Sequence, residues 1–490
     1  MRIQPIQSGE LPEALVRARA AQAEWSLLPP RKRTFWLAAF RAWLVDQSSH
    51  WCHTIDAEVG KSREECLATE ILPLAAACAH LAQSAPRLLA PRRAKGTPLF
   101  LTGATDKVHR RPRGVVGVIG TWNYPLLLSG VQLAQALVAG NAVVFKPSEK
   151  APASGMLLVE GLLAAGVPPD LIQLLETDAT AGETLVASEI DHLVFTGSRA
   201  VGVRIAAALA PRMVSSTLEL SGHDALLVLP GADPKEAARA AWFGTMANSG
   251  RTCIATRRCL VSASLVEGFR DELAKLAAIP PSMVLDKPEG GKARLAHARG
   301  LADEAVAAGA RYLTGTGESP PYLIDNVNPG MRIWREDAFA PVLMIMSCAD
   351  EREMLMAEMA CPFALGAAVF GPPREAEAMA MRLRAGLVTV NDVLVAVGHP
   401  DTPLGGCGAS GWGATQGAEG LLEMTVPQAL HISHGSFRPH YSMAIPGHAD
   451  MGDLLESMLR SGHARGWAGR VAAFLALPGH AWRWWRNGKS

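Results

Sequence analysis

The amino-acid sequence predicts an α/β protein with two parallel-sheet units, a small β element and a C-terminal extension. Three observations carry this. Strand-like apolar runs alternate with helical runs from Gly114 to Leu209, a pattern that builds a parallel sheet covered by helices. A second alternation runs from Asp224 to about Gly405. At 490 residues the chain can bury two or three cores.

The elements follow in order. Residues 11–90 read as helical, with apolar residues at three- and four-residue spacing, as in Phe35, Trp36, Ala39, Phe40 and Trp43; Pro29-Pro30 breaks the first helix from the second. Residues 97–113 change character: Pro98 to Leu101 and Thr105 to His109, bounded by Gly103 and Pro112, predict a hairpin that serves as an edge or an oligomer contact. Strands are predicted at Gly114–Gly120, Ala142–Phe145, Leu171–Leu175 and His192–Phe195, with helices at 126–139, 154–165, 180–187 and up to Leu209. In the second unit, strands fall at 225–229, 258–261, 342–346 and 387–390, and helices at 233–246, 264–277, 301–309 and 351–359. The glycine-rich loop Pro403–Gly413 has no lysine in a phosphate-cradling arrangement and reads as backbone packed near a site.

Composition removes several function classes. A net charge of +1 gives no global case for nucleic acid. Eight cysteines without a C-x-x-C pair fit neither a disulfide framework nor a zinc site, so no metal is expected and a reducing cytoplasm fits best. Met1 to Glu10 has no apolar signal core, and no stretch approaches the ~20 apolar residues needed to span a bilayer.

Two segments carry chemistry. In Asn248-Ser249-Gly250-Arg251-Thr252-Cys253, one cysteine sits in a polar, glycine-bearing turn, with Arg251 placed to favour a thiolate. In Thr217-Leu218-Glu219-Leu220, an acid ends an apolar run, where its pKa is raised and it can act as a base. Together they suggest covalent catalysis finished by water. Each also has a bland reading, as a loop cysteine and a solvated strand-end acid, and a Cys–His hydrolase is the alternative chemistry. Asn123, after the first strand, can donate to a developing oxyanion or simply satisfy its own turn. Lys146 and Glu149 at one strand end could meet a ribose. Gly197-Ser198 opens a helix whose free N–H groups favour a pyrophosphate. Taken singly, Lys146 reads as a surface lysine and Ser198 as an N-cap.

These segments, in this order from residue 10 to 438, resemble the aldehyde dehydrogenase superfamily, most like its class 3 fatty and aromatic aldehyde dehydrogenases. The resemblance implies a Rossmann-like NAD(P)-binding domain (1–95 and 114–221), a catalytic domain (222–405) and an oligomerisation arm (96–113 and 420–438). Residues 439–490 form an extension outside it. It implies Cys253 as nucleophile, Glu219 as general base and Asn123 in the oxyanion hole. Trp122, Lys146, Glu149, Gly197, Ser198, Asp337 and Phe339 become cofactor contacts, Asp337 standing where the family usually has Glu. It further implies an aldehyde substrate, NAD as cofactor with NADP admitted, and a homodimer. The sequence departs from the family pattern at Ser221-Gly222-His223, Leu404 and Ala396. A CoA-acylating relative and a catalytically silent scaffold are the competing readings; the first needs no water-activating Glu219.

The extension is different in kind. From Arg460 onward it has six Arg or Lys, no acid, and Trp467, Trp482, Trp484 and Trp485. That composition suits peripheral contact with an anionic membrane surface, on the inner face of the cell membrane, or a helix packed on the body or a partner subunit. Its apolar run, Val471 to Leu477, is expected to end at Pro478-Gly479.

Overall fold

The computed structural model describes residues 4–98, 101, 103–279, 283–285, 287–288, 290–315, 317–434, 441 and 451–487. The chain forms two compact units. One comprises Met1–Leu89 with Arg111–Val426, the other Ala90–Arg110 with Pro427–Ser490.

The larger unit holds two sheets. In the first, strands run in the order Gly411–Trp412, Ser215–Leu220, His192–Gly197, Val115–Ile119, Ala142–Lys146, Ile172–Leu174. All pair in parallel except Gly411–Trp412. Val115–Ile119 and Ala142–Lys146 are buried at every position, as β-branched runs covered on both faces must be. The chain leaves Val115–Ile119 towards one edge, then returns beside it with His192–Gly197. Ligands of open α/β sheets bind at such a reversal, outside the carboxyl ends of the strands. The N-terminal helices close one side through Trp36, Phe40 and Trp51, none exposed.

The second sheet orders Arg311–Tyr312, Tyr322–Asp325, Val342–Cys348, Thr256–Ser262, Asp224–Val228, Gly366–Phe370 and Leu387–Val390, parallel apart from the first. The predicted 301–309 helix is longer, Gly291–Ala307.

One sequence expectation fails in the first unit. The helical stretch Arg63–Leu88 is, among the described residues, long and apolar enough to cross a membrane. Leu74, Cys78, Leu81 and Ala85 are buried, so part of its apolar surface faces the protein's own core.

The smaller unit contains a three-stranded sheet, Arg92–Arg93, Ala104–Pro112 and Thr425–Ser433, whose last two strands run across the boundary. The expected 97–113 hairpin is corrected here. Ala104–Pro112 pairs antiparallel with Arg92–Arg93, while Leu99, Phe100 and Thr102 lie outside the described residues. His431 Nδ1 meets Asp106 Oδ1 at 2.7 Å. Beyond it, Met451–His463 and Trp467–Asn487 form a helical pair. The second helix runs through Pro478 instead of stopping there. Proline lacks the N–H that would bond the Phe474 carbonyl, and Pro478 is exposed, so water can reach that carbonyl.

Candidate active site

The cysteine loop is built from an unusual backbone. Helix Pro234–Met246 is N-capped by Asp233, whose Oδ1 accepts from Lys235 N at 2.9 Å. Directly after it, Asn248, Ser249 and Gly250 take φ of 50°, 54° and 75°. Left-handed non-glycine residues cost free energy and persist only where the surroundings hold them. Here Asn248 does the holding. Its Oδ1 accepts from Arg251 Nη2 at 2.9 Å, and its Nδ2 donates to Asn123 O at 2.9 Å. At Gly250 a Cβ would run into the backbone of Ala340 and Pro341. Cys253 emerges partly exposed, whereas six of the other cysteines are buried.

Glu219 lies in Ser215–Leu220 with 2% of its surface exposed, opposite Thr196 on one side and Gly411 on the other. Burial pushes its carboxyl up to about 7, and the neighbouring Cys253 thiol and Thr196 hydroxyl pull part of that back. Neither carboxylate oxygen completes a hydrogen bond among the described residues. The expectation that Arg251 favours a thiolate is corrected. Arg251 is buried and donates to Asn248 O at 2.7 Å and to Val59 O at 2.8 Å. Burial first, and then Glu219, push the Cys253 thiol well above its ordinary value. The pair is a thiol beside a buried carboxyl, each raised chiefly by burial. The glycine-rich loop adjoins the same strand: Ser410 Oγ donates to Ser221 O at 2.9 Å, and Gly411 pairs with Glu219.

Asn123 is 3% exposed and joins the cysteine loop directly. Its Nδ2 donates to Arg251 O at 3.0 Å and its Oδ1 accepts from Thr121 Oγ1 at 2.7 Å. One N–H of the amide thus anchors the loop, and the amide has a second.

The strand-end residues group by sheet position. Lys146 is buried, and its Nζ meets Glu149 Oε2 at 3.3 Å while Glu149 stays exposed. Gly197 ends its strand, and Ser198 caps helix Arg199–Leu209 by accepting from Val201 N at 3.4 Å. A cavity of about 320 Å³ lies beside the ends of the Ala142–Lys146 and Ile172–Leu174 strands, walled by Pro5, Pro147, Pro152, Met156 and Leu175. Its lining is largely apolar, with Glu176, Thr177 and Asp178 on one part of the wall.

Trp122 and Phe339 meet edge to face with centroids 5.6 Å apart. Asp337 does not present a free carboxylate. Its side chain is 5% exposed, its Oδ1 lies 3.4 Å from Arg257 Nε, and it accepts from Phe339 N at 3.0 Å. Those bonds hold Phe339 at φ 49°.

Sequence reasoning missed several neighbours. Thr196 flanks Glu219. Tyr124 and Thr252 share a hydroxyl hydrogen bond at 2.7 Å. Arg294 packs its guanidinium 4.9 Å from the Trp122 ring centroid, and its Nη1 is buried with no partner among the described residues. Arg294 is a helix-face arginine 172 positions from Trp122 (294 minus 122), so only tertiary contact reveals it.

Comparison with known proteins agrees with this geometry. The sequence pattern of the Aldehyde dehydrogenase family matches residues 1–430. The chain is 34% identical over 426 residues to a 4,4'-diapolycopene aldehyde oxidase from Methylomonas sp, covering 85% of this chain and 80% of the relative. It is 32% identical over 439 residues to a Mycobacterium bovis (strain BCG / Pasteur 1173P2) protein provisionally named succinate-semialdehyde dehydrogenase [NADP(+)] 2, covering 86% and 84%. Among solved structures, betaine aldehyde dehydrogenase from Staphylococcus aureus in complex with NAD+ has a TM-score of 0.82 at 25% identity, over 89% of this chain and 90% of that one. An aldehyde dehydrogenase from Mycobacterium tuberculosis complexed with NAD+ shares the fold, with a TM-score of 0.82 at 24% identity, over 89% and 92%. With the family pattern spanning residues 1–430 and a relative 34% identical over most of both chains, this chain belongs to the aldehyde dehydrogenase family, oxidoreductases acting on the aldehyde group.

Proposed function

We propose that this enzyme oxidises an aldehyde to a carboxylic acid through a covalent adduct on Cys253. The observation that carries the reading is the partly exposed Cys253 beside the buried Glu219, with the Asn123 amide bonded to the same loop. Glu219 accepts the thiol proton as sulfur bonds to the carbonyl carbon, and the C=O electron pair moves to oxygen. The second N–H of the Asn123 amide and the Cys253 backbone N–H stabilise that oxyanion in the thiohemiacetal. When bound, the nicotinamide cofactor supplies the hydride acceptor. Loss of hydride from the former aldehyde carbon lets the C=O reform as a thioester on Cys253. Glu219 releases the thiol proton to solvent, takes a new proton from water as the water oxygen attacks, and returns it to the Cys253 sulfur as that sulfur leaves with the C–S electron pair.

The cofactor residues fit a dinucleotide. The proline-walled cavity takes the adenine. Lys146 and Glu149 would meet its ribose, and Gly197 and Ser198 the pyrophosphate. Arg294, its guanidinium carbon 4.9 Å from the Trp122 ring centroid and its Nη1 without a partner among the described residues, would add a cation beside Trp122. Asp337 acts through Phe339 rather than by touching a ribose hydroxyl. The exposed Glu149 carboxylate would repel a 2′-phosphate, which favours NAD over NADP. Glu219 beside Cys253 weighs against a CoA-acylating enzyme, which has no need of that base. We also infer a homodimer through the Ala104–Pro112 and Thr425–Ser433 strands, and peripheral membrane contact by residues 439–490.

The test is a panel of aliphatic and aromatic aldehydes with NAD and with NADP, read as NADH or NADPH formation and as acid product. NADH without free acid would point to acyl transfer to another acceptor. Cofactor binding with no reduced cofactor on any aldehyde would point to a silent scaffold and sink the reading.

A further inference from the structure

Helix Trp467–Asn487 has two apolar faces, and among the described residues one of them is turned to Met451–His463. Ala473 is 9% exposed, and Ala476, Leu477, His480 and Trp484 are at most partly exposed, along the side turned to Met451–His463. His480 Nδ1 lies 3.7 Å from Asp453 Oδ2 across that contact. At 3.6 residues per turn, Trp467, Val471, Phe474, Leu475 and Trp482 fall on a different arc, about 100° wide. Their exposures are 80%, 47%, 59%, 71% and 55%. Trp485, 52% exposed, lies on the same arc.

The charges around that arc have one sign. The helix carries Arg470, Arg483 and Arg486 and no Asp or Glu. Arg486 sits 4.7 Å from the Trp482 ring centroid, which places a cation beside the aromatic stripe. Isolated exposed apolar residues are ordinary, but a contiguous aromatic stripe rimmed by arginine marks an interaction surface. Two copies meeting through this face would bring arginines together, so charge complementarity selects an acidic occupant. The helix is 21 residues long and does not have the apolarity of a membrane-crossing helix, the only such stretch among the described residues being Arg63–Leu88. A helix with a tryptophan-rich face and a basic rim lies in the plane of a bilayer interface, where indole rings take the headgroup level.

We infer that the Trp467–Val471–Phe474–Leu475–Trp482 face is an interfacial docking surface for a bilayer containing anionic lipid. This assigns the membrane contact proposed above to one helix face, and it does not depend on the catalytic assignment. The experiment uses the full chain with vesicles of phosphatidylcholine alone and of phosphatidylcholine mixed with phosphatidylglycerol. Three readouts are taken: co-sedimentation, tryptophan emission, and quenching by brominated lipid. The expected result is sedimentation with the anionic vesicles, a blue shift, and quenching, all reduced by added salt. The triple variant W467S/F474S/L475S, at exposed positions, loses sedimentation while its melting temperature and its NADH formation with a water-soluble aldehyde stay unchanged. R470Q/R483Q/R486Q lowers binding to the anionic vesicles to the level seen on neutral ones. Failure of the unsubstituted protein to sediment with either vesicle, or equal sedimentation of the triple variant, overturns the proposal. A triple variant that instead changes mass by light scattering, with vesicle binding retained, assigns the face to a second copy and also overturns it. Aldehyde oxidation in solution is read separately, so failure of this surface leaves that result standing.

Discussion

Lys61 Nζ donates to Glu70 Oε1 at 2.6 Å, with both side chains fully sealed from solvent. The pair reaches the active site through two contacts. Glu70 Oε2 accepts from the backbone N–H groups of Leu126 and Leu127 at 3.1 and 2.8 Å, at the start of helix Leu127–Ala139. Lys61 Nζ sits 3.5 Å from the centroid of the Tyr124 ring, whose hydroxyl bonds Thr252 Oγ1 beside Cys253. The segment directly after Asn123, from Tyr124 to Leu127, is thus held by a buried charged pair.

Removing one partner of that network should cost more than removing both. Lys61→Met strands a buried carboxylate, a change that costs about 3–5 kcal/mol. The double variant K61M/E70Q should recover a substantial part of it. Urea unfolding of the singles and the double gives the comparison, and a double variant as unstable as the sum of the singles would refute the coupling.

Cys253→Ala should bind NAD with unchanged affinity, by fluorescence quenching, and form no NADH. Asn123→Ala should keep NAD affinity and lose about 10²–10³ in kcat. If Asn123→Ala left kcat near its original value, the oxyanion role would be discarded.

The pH dependence follows from Glu219. The base form is the active one, and its carboxyl is raised to about 7, so kcat should rise with pH to a plateau through a midpoint near 7. Glu219→Gln should abolish that limb and slow thioester hydrolysis more than thioester formation. The linkage runs the other way. A carboxyl with a raised folded pKa contributes stability that is full below its unfolded value and lost as pH rises through about 7. Glu219→Gln should therefore flatten the fall in melting temperature between pH 5 and 8. A limb that persists in the glutamine variant belongs to another group.

Gly250→Ala should be costly for two independent reasons. The residue has φ 75°, and its Cβ would strike the backbone of Pro341, which cannot rotate away as a side chain can. Strain of this kind costs about 1–3 kcal/mol per residue. Displacing the loop that carries Cys253 should depress kcat further than stability alone explains. A variant with normal kcat would show that the loop tolerates another path.

Much of this protein could be read from its residues in order. Periodicity located the alternating strands and helices, because burial on one or both faces dictates where apolar side chains recur. Cys253 and Glu219 stood out because each sits in surroundings unlike those of a packing cysteine or a surface acid. What the order of residues could not supply was which distant groups share a dielectric environment. Arg251 is two residues from Cys253, yet its guanidinium is directed at carbonyls of Asn248 and Val59, while burial and then Glu219, on a strand 34 positions earlier (253 minus 219), raise the thiol. Asp337 is drawn to Arg257, 80 residues away. The hairpin pairing at Ala104–Pro112 and the continuation of the last helix through Pro478 were likewise decided by partners and solvent exposure. Local pattern is set by side-chain chemistry along the chain, while protonation and ion pairing depend on burial and on neighbours that only folding brings within a few ångströms.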